Sequence, residues 1–272
     1  MWNWILKALF LLLLCGVVFG GAGWFGYRLL VEPHLPPPEE AWAEGAPDPS
    51  LPDFEKAMQI HASRKPVEAR EALERFLEMY PFSTRVAEAR KALGQVNVDI
   101  FLSPIAAPEK IRYEIRSGDT PDRIKRKLKV SEEWLMRCNN LDDPRRLRIG
   151  QVVWVSQPDF SVVIDRKTQT VLLLNKGKFF KEYTPASWNL PARSTAHSAK
   201  VNKKQAWANG AHVGFGSKEY VGSVRWVELT ERGYTLHTEG GAPKPSGGIG
   251  LHPEDMEELS TLLSKGVPVT IR

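Results

Sequence analysis

Apolar positions run unbroken from Ala8 to Tyr27, ALFLLLLCGVVFGGAGWFGY, with no charge over about 20 residues. As a helix rising ~1.5 Å per residue, that length spans the roughly 30 Å hydrocarbon core of a bilayer. Lys7 precedes the run, Arg28 follows it, and Trp2, Trp4, Trp24 and Tyr27 stand where interfacial aromatics anchor a span. The pattern predicts a single transmembrane anchor over residues 1–31, with the N-terminus inside and the body outside the membrane. A cleaved signal peptide with its exit at Gly20 to Gly23 is the alternative. Gly16 and Gly20 form a small-residue helix-pairing spacing. Cys15 lies within the run, and Leu12 to Leu14 lack the small residue that lipidation there would require, so Cys15 reads as a lipid-exposed thiol.

Residues 32–52 change character: EPHLPPPEEAWAEGAPDPSLP is rich in proline and acid, poor in aliphatics, and reads as an extended spacer. From Asp53 to Phe101 the period becomes helical. Ala69, Leu73, Phe76, Leu77 and Tyr80 share one face, and Val86, Ala89, Leu93 and Val96 another, with Pro81 interrupting and Ser83 placed to cap the second helix. The pattern over 53–104 resembles one tetratricopeptide-like helical pair. A lone pair cannot bury both faces by itself, so it must pack on the rest of the chain or on a protein partner.

Residues 111–156 read as strand, helix, helix, strand. Tyr113 and Ile115 alternate in the first strand; Thr120 caps a helix with Pro121 at its first position; Ser131 caps a second helix that turns Trp134 and Leu135 inward; Val152 and Trp154 lie in the closing strand. Beyond Phe160 the pattern is mainly β, with turns at Lys167 to Gln169, Asn175 to Gly177 and Glu231 to Gly233. A helix opened by Pro253 and a last strand finish the chain. The whole predicts a multidomain α+β protein: anchor, linker, helical pair, βααβ module and a mainly β domain over 160–272.

The 272 residues allow more than one core. The net charge of +5 suits an anionic polymer or membrane face and is too diffuse to require nucleic acid. It is also concentrated. Between Ile111 and Val155, eleven basic side chains face seven acidic ones, an excess of +4, which suits the carboxylates of an acidic ligand or simply a solvated helix face. The two cysteines, Cys15 and Cys138, lie in the apolar run and the βααβ module, so no disulfide framework exists.

The βααβ stretch closely resembles a LysM domain: SGDT after the first strand, NNL after the second helix and IGQVVWV in the last strand coincide with that family's pattern. The resemblance implies binding to the N-acetylglucosamine-containing backbone of peptidoglycan or chitin. It places a shallow groove between the first turn (Ser117, Gly118, Asp119, Thr120, Pro121) and the loop after the second helix (Asn139, Asn140, Leu141). An acetamido sugar offers an amide donor, an acceptor and an apolar methyl, which exposed loop backbone over a small apolar floor can match. Turn and cap chemistry alone is the other reading of these residues.

The stretch from Ser161 to Arg272 resembles the L,D-transpeptidase (YkuD) domain, on VVIDRKTQTVLLLNKGKFFKEY, RWVELTERGYTLHT and SGGIGLHPEDMEELSTLLSKGVPVTI. The family's reaction uses a cysteine thiolate to attack the carbonyl of a stem peptide, a histidine to take the thiol proton and backbone amides to hold the oxyanion. His237 falls on the family's upstream histidine, and Ser246 and Gly248 on the serine and glycine of its closing motif. Gly247 stands in place of the motif histidine, Gly250 in place of its arginine, and the cysteine is absent. The segment between His237 and Ser246 is also shorter than the family's. Ser246 with His237 is the remaining candidate pair, and a hydroxyl is a far weaker nucleophile than a thiolate. His252, just before Pro253, reads as a helix start or a second base. His197, His212, His237 and His252 lack metal-ligand spacing, so neither metal nor other cofactor is expected.

These readings converge on a single-pass protein of the inner or plasma membrane. Its body lies on the extracytoplasmic side, binds peptidoglycan through the LysM-like module, and carries an inactive L,D-transpeptidase-like domain. Two alternatives stand: an active transpeptidase or hydrolase built on Ser246 and His237, and an assembly adaptor working through the helical pair. Nucleic acid is not among the expected partners.

Overall fold

A computed structural model describes residues 48–272 apart from 129, 142 and 193–195. The expected anchor, Cys15 and nearly all of the linker lie outside the described residues. Among those described, no helix is long and apolar enough to cross a membrane.

Three helices, not two, open the described chain: α1 (Leu51–Ala62), α2 (Pro66–Met79) and α3 (Val86–Phe101). The extra break falls at Arg64, whose φ of 58° ends one helix just before Pro66 starts the next. Phe54, Leu73, Phe76 and Leu93 close a small core between the helices. The opposite side of α3 is covered within the chain. Asn97 donates to the Phe180 carbonyl at 2.9 Å, and the Arg90 guanidinium lies 4.6 Å over the Phe179 ring.

The next module has the order read from the pattern: β1 (Lys110–Glu114), α4 (Pro121–Leu128), α5 (Glu132–Arg137) and β2 (Val152–Ser156), with β1 and β2 antiparallel. Ser131 Oγ accepts the Trp134 amide at 3.0 Å, a side-chain N-cap for α5.

The remainder is a ten-stranded sheet. Its strands are β3 (Phe160–Asp165), β4 (Thr170–Asn175), β5 (Lys178–Tyr183), β6 (Ser187–Asn189), β7 (His197–Ala208), β8 (Ala211–His212), β9 (Val224–Leu229), β10 (Thr235–Thr238), β11 (Gly248–Leu251) and β12 (Pro268–Ile271). They run in the order β5-β4-β3-β12-β7-β9-β10-β11-β6, with β8 on β7. The β3–β12 and β10–β11 neighbours are parallel and the other ladders antiparallel. Helix α6 (Pro253–Leu262) packs against β9 and β10.

The end of α3 joins the core of the other two modules, beside the separate small core between the helices. The Phe101 ring at the end of α3 lies 6.3 Å from Trp134 of α5, 5.7 Å from Phe160 of β3 and 4.8 Å from Phe180 of β5. Cys138 is buried beside them and its thiol donates to the Phe101 carbonyl at 3.0 Å. Burial pushes the Cys138 thiol up to about 11, partly opposed by Lys110, so it stays protonated and inert. The helical module is therefore a strut wedged between the other two.

Candidate functional sites

The first turn of the βααβ module is built by its own side chains. Gly118 adopts φ +82°, and the chain reverses there. The Asp119 carboxylate accepts from the Arg116 amide at 2.8 Å and the Tyr113 hydroxyl at 2.7 Å; these two hydrogen bonds hold its pKa below the ordinary value. Thr120 Oγ1 accepts the Arg123 amide at 3.3 Å, and Pro121 opens α4. Asp119 and Thr120 thus spend their side chains on the turn, leaving Ser117 and the Gly118 backbone exposed.

The second loop divides its labour in the same way. Asn139, only 9% exposed, donates to the Leu135 and Trp154 carbonyls at 2.8 and 3.0 Å and accepts the Trp154 amide at 2.8 Å. It sews α5 to β2, and both donors of its side chain are used within the module. Asn140 is exposed at φ 52°, and Leu141 is half-buried with its amide on the Met136 carbonyl. Ile115, at the foot of the first turn, bonds to Gln151, while Asn139 bonds to Trp154. The two loops are therefore tied to strand positions three residues apart, roughly 10 Å.

In the sheet domain the register places Gln205, Trp226, His237, Gly250 and Ser187 in one row across β7, β9, β10, β11 and β6. His237 is 4% exposed. Its Nδ1 lies 3.1 Å from the Thr238 carbonyl, which can only accept, so Nδ1 is the donor in that contact. That contact fixes the orientation of the ring, and its neighbours decide what it could serve.

Next to it is a notch rather than a nucleophile. A Cβ at Gly250 would collide with the Glu239 carboxylate and Ser187 Oγ, which hydrogen-bond to each other in that space. The Ser187 hydrogen bond, together with Lys244 and His237, holds the Glu239 pKa below the ordinary value. A Cβ at Gly248, whose φ is +128°, would fall on the Thr235 carbonyl oxygen. No L side chain stands at either glycine without displacing β10 or Glu239. Gly241 packs on Val224 of β9, folding the 239–247 loop back over the sheet. Ser246 is exposed on that loop, and among the described residues no hydrogen bond joins it to His237.

The other histidines are dispersed. His252 sits at the N-terminus of α6, its carbonyl accepting the Met256 amide at 2.9 Å. The His212 ring stacks 3.5 Å from Trp207, and His197 lies 5.3 Å from Tyr234. Among the described residues no group of three or more His, Cys, Asp or Glu is arranged to hold a metal ion. Ser187 and Glu239 were not readable as site residues: they are 52 positions apart and meet only because β11 lies between β10 and β6.

Comparison with known proteins adds two findings. Residues 113–156 match the LysM domain family. The structure also overlaps those of L,D-transpeptidases. One from Mycobacterium smegmatis is 16% identical, with 45% of this chain and 63% of that one covered at a TM-score of 0.31. L,D-transpeptidase 1 of Mycobacterium tuberculosis is 14% identical, with 45% and 67% covered at 0.30. One from Stackebrandtia nassauensis is 20% identical, with 43% and 57% covered at 0.30. The chain thus spans less than two thirds of the first and third of these proteins. No curated protein matches it.

Proposed function

We propose that the chain is a membrane-anchored cell-envelope protein that grips peptidoglycan through its LysM domain and carries an L,D-transpeptidase-like domain without turnover. The anchor rests on the uncharged 20-residue run and its flanking aromatics, and the exterior placement on the same pattern. Glycan binding rests on the LysM match over 113–156 and on the exposed edges at Ser117, Gly118, Asn140 and Leu141. Asp119, Thr120 and Asn139 hold the turn and the loop in shape through their side-chain hydrogen bonds, and Pro121 opens α4 beside them.

The observation that carries the loss of turnover is the surroundings of His237. Beyond residue 138 the chain has no cysteine, and Gly248 and Gly250 leave no space for a side chain beside the base. Acyl transfer through a covalent intermediate needs a nucleophile within hydrogen-bond reach of its base, about 2.6–3.2 Å. The Ser187 hydroxyl is committed to Glu239, and Ser246 is outside on the loop.

Glycan binding is tested by pelleting the protein with purified sacculi. Wild type is expected in the pellet, and Ser117→Trp, which puts a bulky ring on the exposed turn, in the supernatant. Equal sedimentation of both would remove the groove from the account.

A further inference from the structure

The strongest unassigned feature lies on the seam between the LysM domain and the sheet domain. Two adjoining cavities of about 250 and 390 Å³ share a wall made of Phe215 and Tyr220, whose rings meet edge-on at 5.6 Å. Leu141, from the LysM loop already implicated in glycan contact, lines the larger one with Arg137, Ser217, Lys218 and Val221. Lys204, Arg225 and Ser260 line the smaller one.

The charge is one-sided. Four cations line the two cavities, while no described carboxylate does. Arg137 pairs with Glu257 at 2.7 Å and Glu133 at 3.5 Å, Lys204 with Glu133 at 3.7 Å, and Arg225 with Glu257 at 3.6 Å, so two carboxylates serve three of the cations. Lys218 makes no ion pair among the described residues and is exposed at the mouth. Two hydrogen-bonding groups are left over inside. Arg225 is 2% exposed and its Nε has no partner; Ser217 Oγ is buried and has none either. A buried guanidinium N–H and a buried hydroxyl without partners each carry an unmet desolvation cost, which a bound acceptor removes. Val221, 75% exposed, adds an apolar lip.

We propose that this seam is a binding site for a short carboxylate-bearing peptide, and that a glycan held by the LysM loop at Leu141 delivers its attached peptide into it. This rests on the peptidoglycan reading above. The chemistry recognised is a carboxylate for Lys218 and Arg137 in the larger cavity, where the Ser217 hydroxyl is a further unpaired donor, with a small apolar side chain against Phe215 and Val221. Charge-assisted hydrogen bonds of this kind are roughly twice as strong as neutral ones. Specificity for peptide-bearing over bare glycan would therefore arise at the junction rather than in the LysM groove.

The test is titration calorimetry on the full chain in detergent micelles, with three soluble probes. These are an N-acetylglucosamine oligomer, a glycan fragment carrying a peptide with free carboxylates, and the same fragment with its carboxylates amidated. Wild type is expected to bind the free-carboxylate probe about tenfold more tightly than the other two. Lys218→Ala should narrow that gap and Lys218→Glu erase it, with bare-oligomer binding unchanged in both and Lys218→Arg restoring preference. Equal binding of all three probes by wild type, or equal weakening of all three by Lys218→Glu, would overturn the seam site and leave the glycan reading intact. Failure of every probe to bind would instead overturn the peptidoglycan reading, and the seam proposal with it.

Discussion

Arg137 of the LysM domain and Glu257 of α6 meet at 2.7 Å, and this contact joins residues 120 positions apart across the seam. Glu257 also accepts the Gly222 amide at 3.2 Å and lies 3.6 Å from Arg225. Burial by itself would raise the Glu257 pKa, but the Arg137 hydrogen bond, the Gly222 amide and both guanidinium charges outweigh it and hold the pKa below its ordinary 4.5. A carboxylate depressed in the folded state adds stability above its unfolded pKa, and that stability is lost as pH falls through the folded value. The neighbouring Glu258 is shifted the other way, raised mainly by burial, so it does not contribute to acid weakening. Glu257→Gln should therefore cost stability at pH 7, by roughly 1–3 kcal/mol, because it removes the counter-charge beside the buried Arg225. The cost should shrink as pH drops below about 4.5. Urea unfolding at several pH values reads this directly; a cost independent of pH would contradict it.

Phe101 touches an aromatic residue in each neighbouring module, at Trp134, Phe160 and Phe180. The cluster around Phe101 couples the modules. Wild type should unfold as a single cooperative step by both near-UV and far-UV circular dichroism. Phe101→Ala should lower stability by roughly 3–5 kcal/mol or split the transition. Separate transitions for the LysM and sheet domains in wild type would show that the shared core is not energetically coupled.

Asn139 and Asn140 are adjacent yet should behave oppositely. Asn139→Ala orphans the Trp154 amide and two carbonyl partners, which should cost about 2 kcal/mol and lower glycan binding only by unfolding the module. Asn140 is exposed at φ 52°, where alanine is strained by about 1 kcal/mol. Thermal denaturation beside sacculus binding separates the two: Asn139→Ala should lose both together, whereas Asn140→Asp should keep the fold.

Ser246→Cys is the simplest attempt to put sulfur back. The side chain is exposed and no hydrogen bond links it to His237, so the new thiol should titrate near the ordinary value of about 8.5 and react slowly at pH 7. Alkylation rate against pH gives the pKa. A value depressed by two units or more would show that the loop brings position 246 to the base.

The local pattern was sufficient for much of this. Pro121 and Ser131 marked the two LysM helix starts, and the alternation at Tyr113 and Ile115 matches their burial, whereas in β2 the buried positions are Val153 and Val155 rather than Val152 and Trp154. His237 and the glycines at 248 and 250 could be aligned with a motif because they are close in sequence. What escaped was non-local. The seam joins Glu133 to Lys204 and Arg137 to Glu257 across two modules, whereas the break at Arg64 had a local sign in Pro66 two positions on. The filling of the Gly250 notch required the strand order β10-β11-β6, which periodicity does not encode.

The central claim is binding without turnover, and intact-mass spectrometry of the full chain after incubation with stem-peptide glycan fragments tests it most directly. The account predicts an unmodified protein mass and no new cross-linked fragments, while the same sample still pellets with sacculi. A mass increase equal to an acyl peptide on any residue beyond Phe160, or cross-linked products lost on His237→Ala, would contradict it.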